Sequence, residues 1–254
     1  MNEVNKFYMT EHGFTPDFTG RNLVIPDKID VERDKVAEEW EKYGGKVIRI
    51  GRFWEPPQLS EDKISLYGNH IFCMVLAQKL DLRLISPPDD ILANVQEKWL
   101  KRTIIISTIE KAEHFRYPCF IKPLVPKIFT AQKYGSYNEL LLECKQLEGN
   151  TAVIYSDIVE INSEVRAFIL NGKITTACTY EGKADIEDAM TFLKEFIMEN
   201  AELIPVTCVI DVGFIDGRGW AVIEANSSWG AGLNGCDPLA AALCIAEATQ
   251  TEDA

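Results

Sequence analysis

The chain has 254 residues, 46% hydrophobic, 26% charged and 10% aromatic, a composition that can bury a sizeable core and excludes a disordered chain. Its formal net charge of −13 repels DNA and RNA, and no basic stripe offsets it, so a polyphosphate ligand needs a few placed cations and a divalent metal. The 7 cysteines contain no C-x-x-C pair, no signal-peptide core is visible, and no apolar run approaches ~18 residues, so we expect reduced thiols in a cytoplasmic protein without a membrane span.

Residues 22–26 form a short apolar run stopped by Pro26, and 31–43 carry a charged amphipathic helical pattern closed by Gly44 and Gly45. Residues 46–50 alternate with a period of two and predict a strand. A strand over 64–67 ends at Gly68 and feeds a helix whose apolar face carries Ile71, Phe72, Val75, Leu76 and Leu80. Residues 82–85 are the next strand, and Pro87-Pro88 precede a helix over 89–99. Alternation of this kind predicts a small parallel sheet covered by helices.

From about Thr103 the pattern changes to hairpins. Residues 119–123 are an apolar strand carrying Lys122, 128–134 are its antiparallel partner, and Ser136 caps a helix over 137–147. Residues 151–156 are apolar, and 164–170 and 173–179 flank Asn171-Gly172, a pair that tolerates the positive φ of a tight hairpin. A helix over 185–200, a hairpin of 206–214 with 220–225, and a helix over 238–248 follow. The fold class is α/β (α+β), with α/β units first and an antiparallel sheet second.

Asp211 sits inside the apolar run Val209-Ile210-Asp211-Val212, while Glu224 and Asn226 share one face of the next strand. An ionised carboxylate among apolar neighbours is costly unless it is paired or metal-bound. Three oxygen donors on adjacent strands suit Mg²⁺, a hard cation that completes its octahedron with phosphates and water. Salt-bridged acids at strand ends are the alternative. Gly230-x-Gly232-x-x-Gly235 formally matches a dinucleotide fingerprint, but no second strand follows to carry the ribose-binding acid, so we read it as a flexible loop that lets backbone approach a ligand.

In chain order, Phe120-Ile121-Lys122-Pro123, the hinge Ser156-Asp157-Ile158-Val159, Glu164-Val165-Arg166, Asp211 and Glu224-Ala225-Asn226 resemble the signature of ATP-grasp enzymes. Tyr67-Gly68, Pro87-Pro88 and the Trp-Gly-x-Gly-Leu-x-Gly run from Trp229 resemble a compact clade of that superfamily. The resemblance implies a pre-ATP-grasp α/β lobe over 1–102 and an ATP-grasp domain over 103–254, with a lid of about 103–156 and a nucleotide-binding core of about 157–254. It implies ATP and Mg²⁺ as cofactors. Lys122 would contact the α- and β-phosphates, and Lys127 is either a second phosphate lysine or a solvated loop residue. Backbone groups of Asp157, Ile158 and Val159 would meet the adenine edge. Glu164 would bind the ribose hydroxyls or pair across its hairpin with Lys173. Arg166 would hold the γ-phosphate or form a buried pair with a glutamate. Asp211, Glu224 and Asn226 would hold the metal, and Trp229 with the loop to Gly235 would border the acceptor pocket. His12, His70 and His114 have no counterpart in the signature and read as structural.

The activity implied is an ATP- and Mg²⁺-dependent ligase that joins a small-molecule or peptide carboxylate to an amine through an acylphosphate, with Lys122 and Arg166 balancing the developing charge. A phosphotransferase acting on a small molecule and a non-catalytic ATP-binding module are the alternatives.

Overall fold

The structure is a computed structural model that describes residues 7–8, 16–56, 63–126 and 128–251. It divides into two compact units, the first within 1–87, 163–212 and 224–254, the second within 88–162 and 213–223.

The first unit begins with β1 (Phe7–Tyr8) and β2 (Arg21–Pro26), followed by α1 (Val31–Lys42) and β3 (Lys46–Ile50). Asp30 caps α1 by accepting the Arg33 N–H, and Gly44, at φ +88°, follows its end with a backbone conformation that favours glycine. Trp40 is fully buried and stacks on Phe18 with centroids 4.1 Å apart. Burying a ring of this size contributes roughly 1.5–3 kcal/mol. β4 (Lys63–Leu66) and β3 both pair parallel with β2, giving the expected small parallel sheet in the order β3-β2-β4. α2 (His70–Lys79) buries Phe72, Cys73, Leu76 and Ala77. Ile71 does not belong to that face: the buried stripe falls at 72/73 and 76/77, and Ile71 points to solvent at 62% exposure. β5 (Leu82–Leu84) does not extend the parallel sheet and finds a C-terminal partner instead.

The second unit replaces the single helix expected over 89–99 with two one-turn helices, α3 (Ile91–Asn94) and α4 (Glu97–Leu100). Val95 and Gln96 between them are extended, with ψ of 137° and 143°, and Val95 is buried. Core burial of a β-branched side chain outweighs local helix continuity here. β6 (Ile104–Thr108), β7 (Cys119–Pro123), β8 (Gln132–Tyr134) and β9 (Ala152–Ser156) form an antiparallel sheet in the order β6-β9-β7-β8. The partner expected for β7 is realised by its last three residues only. α5 (Tyr137–Glu143) starts on the Ser136 cap as expected and stops earlier. Ile121, Tyr134, Leu140 and Val153 make the core of this unit.

The chain then builds β10 (Ile161–Leu170) and β11 (Lys173–Glu181), joined through Asn171 and Gly172 at φ 50° and 69°. α6 (Ile186–Glu199), β12 (Thr207–Ile215), β13 (Gly219–Asn226), α7 (Pro238–Ala246) and β14 (Thr249–Thr251) follow. The largest sheet runs β1-β11-β10-β12-β13. Phe168, Cys178 and Val209 from this sheet pack in one core with Trp40 of α1 and Ala241 and Cys244 of α7. β14 pairs antiparallel with β5. All 7 cysteines are buried and outside any disulfide among the described residues. No helix among the described residues is long and apolar enough to cross a membrane.

Candidate functional site

The sheet order sets β10, β12 and β13 side by side, and with them Arg166, Asp211, and the pair Glu224 and Asn226. Asp211 lies in a continuously buried stretch of β12 and is 1% exposed. Its charge is met by a two-pronged bond: Arg166 Nε donates to Oδ1 at 2.9 Å and Nη2 donates to Oδ2 at 2.7 Å. Parallel N–H···O⁻ bonds of this kind make the pair ionic. Burial pushes the Asp211 carboxyl up, Arg166 pulls it down, and the carboxylates of Glu224 and Glu164 push it up again. For Arg166, burial works against the charge, but the Asp211 bond outweighs it and holds the guanidinium charged. The buried arginine pair considered from the sequence is therefore present, with an aspartate in place of a glutamate.

Asn226 Nδ2 lies 3.5 Å from Asp211 Oδ2, and Glu224 is exposed. Glu164 accepts a hydrogen bond from the Tyr180 hydroxyl, and the Arg166 guanidinium lies 5.8 Å from the centroid of the same ring. Lys173, the other partner considered for Glu164, stands at the hairpin turn opposite Leu170. Tyr180 was not singled out from the sequence. The signal was available: Arg166 faces Cys178 across the hairpin, and Tyr180 is two residues further along the same face.

The negative charge of Glu224 and Glu164 thus reaches Asp211, whose own charge is met by Arg166, and a surplus of negative charge attracts a cation. Asp211, Glu224 and Asn226 offer hard oxygen donors of the kind Mg²⁺ takes, so the residues fit the ion. A cation at Asp211 has to share or displace the bonds from Arg166. Among the described residues no group of three or more His, Cys, Asp and Glu gathers as a metal site; the expected set holds two carboxylates and an amide.

The glycine loop after β13 is pinned, not flexible. Tyr67 Oη donates to Ala231 O at 3.0 Å, and the Gly68 N–H donates to Trp229 O at 3.0 Å. Glu32 accepts the Leu233 N–H at 2.8 Å and the Asn234 N–H at 2.9 Å, while Arg166 Nη1 donates to Gly232 O at 2.9 Å. Trp229 is 4% exposed, packs with Phe72 and Leu76, and donates its indole N–H to Ile85 O at 3.0 Å. Its side chain is core, so the expected pocket-lining role falls away for the indole.

In the second unit, Lys122 stands on β7 opposite Ile154, half-buried, on the face away from Cys119 and Ile121. Lys127 lies outside the described residues. Asp157 follows β9: its N–H donates to Thr103 O at 3.2 Å, its Oδ2 accepts the Thr103 N–H at 3.2 Å, and its carbonyl accepts Ser156 Oγ at 2.9 Å. Ile158 is exposed and Val159 half-buried. This unit also holds a buried cation not singled out from the sequence. Arg102, 7% exposed, donates to Ser156 Oγ at 3.2 Å, Leu100 O at 2.9 Å and Val222 O at 3.0 Å.

A search of curated proteins finds no match. Among solved structures, a RimK domain ATP-grasp protein from Sphaerobacter thermophilus DSM 20745 is similar with a TM-score of 0.58 at 16% identity, covering 89% of this chain and 98% of that one. The D-cycloserine synthetase DcsG is similar with a TM-score of 0.56 at 12% identity, covering 89% and 99%. The ATP-grasp ligase PsnB, in complex with a precursor peptide and AMPPNP, gives a TM-score of 0.50 at 15% identity, covering 93% and 100%. At these identities the likeness is one of fold. A family model described as an ATP-grasp domain, the second family of its clade, matches residues 99–244. With more than half of its length matched, the chain belongs to the ATP-grasp superfamily, in the second family of that clade.

Proposed function

We propose that the protein is an ATP- and Mg²⁺-dependent ligase, joining a carboxylate to an amine through an acylphosphate. The observation that carries this reading is the pair of Arg166 on β10 and Asp211 on β12, with Glu224 and Asn226 on the neighbouring β13. It lies within the family-matched span, on a fold shared with a ligase and a synthetase.

In this reading Asp211, Glu224 and Asn226 would hold Mg²⁺, which would supply neutralisation of the triphosphate charge. Arg166 then turns guanidinium N–H groups to the transferred phosphoryl group, and Glu164, steadied by Tyr180, takes the ribose hydroxyls. On the family resemblance Lys122 is assigned to the α- and β-phosphates, with Lys127 as a second candidate, and the Asp157-Ile158-Val159 backbone to adenine. The same resemblance assigns 1–102 to a pre-ATP-grasp lobe and 103–254 to the ATP-grasp domain. The chemistry balances without a side-chain nucleophile: the substrate carboxylate attacks the γ-phosphorus, ADP leaves, and the amine displaces phosphate to form the amide, its lost proton passing to the released phosphate or to water. The complex of PsnB with its precursor peptide makes a peptide one substrate class to test, beside small amino acids. The 7 buried thiols fit a cytoplasmic location.

The test is phosphate release from ATP across pooled amino acids, dipeptides and amines. A ligase releases phosphate only when both a carboxylate and an amine are present. A stable phosphorylated product would instead establish a phosphotransferase, and thermal stabilisation by ATP without turnover in any pool would establish a binding module.

A further inference from the structure

Glu32, near the start of α1, lies outside the span matched by the family model, and no part of the proposed reaction uses it. Its carboxylate nevertheless reaches the loop after β13, accepting the Leu233 N–H on Oε2 and the Asn234 N–H on Oε1. The carbonyl one atom away from the Leu233 nitrogen is that of Gly232, and it accepts Arg166 Nη1 at 2.9 Å. One peptide group, Gly232–Leu233, is therefore gripped from both ends, by Glu32 on its N–H and by Arg166 on its C=O. Hydrogen bonds in series through a peptide polarise one another, and a carboxylate on the N–H makes the C=O a better acceptor. A Cβ on Gly232 would stand 2.8 Å from Glu32 Oε2, so a side chain there would displace the carboxylate.

We propose that Glu32 is a positioning residue for Arg166, acting through the Gly232–Leu233 peptide. With the peptide turned by Glu32, its oxygen takes Nη1, which leaves the Nε/Nη2 edge of the guanidinium aligned on Asp211. Tyr67 on Ala231 O and the Gly68 N–H on Trp229 O hold the earlier part of the loop, so Glu32 acts on the peptide plane and not on the loop as a whole.

The structural consequence stands without the ligase reading, whereas the kinetic one rests on it, so the test has two arms. In ligand-free protein, Glu32→Gln shifts the ¹⁵N guanidinium resonances of Arg166 and speeds their hydrogen exchange, while Glu247→Gln leaves them in place. In turnover, Glu32→Gln lowers kcat about tenfold, as loss of a supporting partner commonly does, with a smaller change in the KM for ATP. The same substitution causes no further loss in an Arg166→Lys background. Gly232→Ala, which pushes the carboxylate away without removing it, reproduces both effects and serves if Glu32→Gln folds poorly. Unchanged Arg166 resonances in both variants overturn the proposal, as does full additivity with Arg166→Lys. If the wild-type chain turns over no ATP, the ligase reading fails and the resonance arm still decides the role of Glu32.

Discussion

Arg102 is buried in one unit and Arg166 largely buried in the other, and the two guanidiniums are held in opposite ways. Arg166 faces a carboxylate in a two-pronged ionic bond and keeps its charge firmly. Arg102 donates only to a hydroxyl and two carbonyls, and burial pushes its pKa down to about 10, opposed only by the more distant charge of Asp157. The same desolvation acts on both; the partner decides the outcome. A buried cation with neutral acceptors holds three segments of chain together. A buried cation with its own anion, beside further acids, is poised to exchange that partner for another charge.

The contrast sets an order of effects. Arg166→Met strands the Asp211 carboxylate and is expected to cost about 3–5 kcal/mol of stability at neutral pH, read from urea unfolding. Arg102→Met strands no charge, only acceptors, and is expected to cost about 1–3 kcal/mol. Equal losses for the two substitutions would break the comparison. Tyr180→Phe removes one hydrogen bond to a half-buried carboxylate while keeping a ring beside Arg166, an expected loss of about 1 kcal/mol.

The smallest effect is at the surface, where Arg21 at 2.9 Å and Lys63 at 3.3 Å flank Glu247. Burial alone would raise the Glu247 carboxyl, but the two cations outweigh it and hold it below its ordinary value. Its stabilisation is therefore present above the ordinary carboxylate range and lost as pH falls through the depressed value. Glu247→Gln is expected to cost at most about 1 kcal/mol at pH ~7, to be screened by salt, and to cost nothing once the wild-type carboxyl is protonated.

What could be read in advance followed local chemistry. Asn171-Gly172 forms its hairpin because its two residues tolerate positive φ, and Ser136 caps its helix through its own side chain. Asp211, Glu224 and Asn226 stood out because acids on apolar strands need a reason. The partners that complete the site are distant in sequence: Asp211 is 45 residues from Arg166, and Leu233 is 201 from Glu32. Only the sheet order and the packing of α1 bring them together. The helix expected over 89–99 failed for a similar reason, since the burial of Val95 is a tertiary demand. Likewise, β14 is only three residues long and is defined by its pairing with β5. The loop at 229–235 looked flexible from its glycines, but the residues that pin it, Glu32, Tyr67, Gly68 and Ile85, come from the opposite end of the chain.

A metal–triphosphate site at Asp211, Glu224 and Asn226 is the central claim, and the most direct measurement is Mg²⁺-dependent ATP turnover by the wild-type chain and by Glu224→Gln. Glu224 is exposed and makes no contribution to the core, so the substitution leaves the fold intact. Turnover is expected to fall at least about tenfold in Glu224→Gln, with a higher Mg²⁺ requirement for what remains. Wild-type turnover at an unchanged Mg²⁺ requirement would contradict the claim.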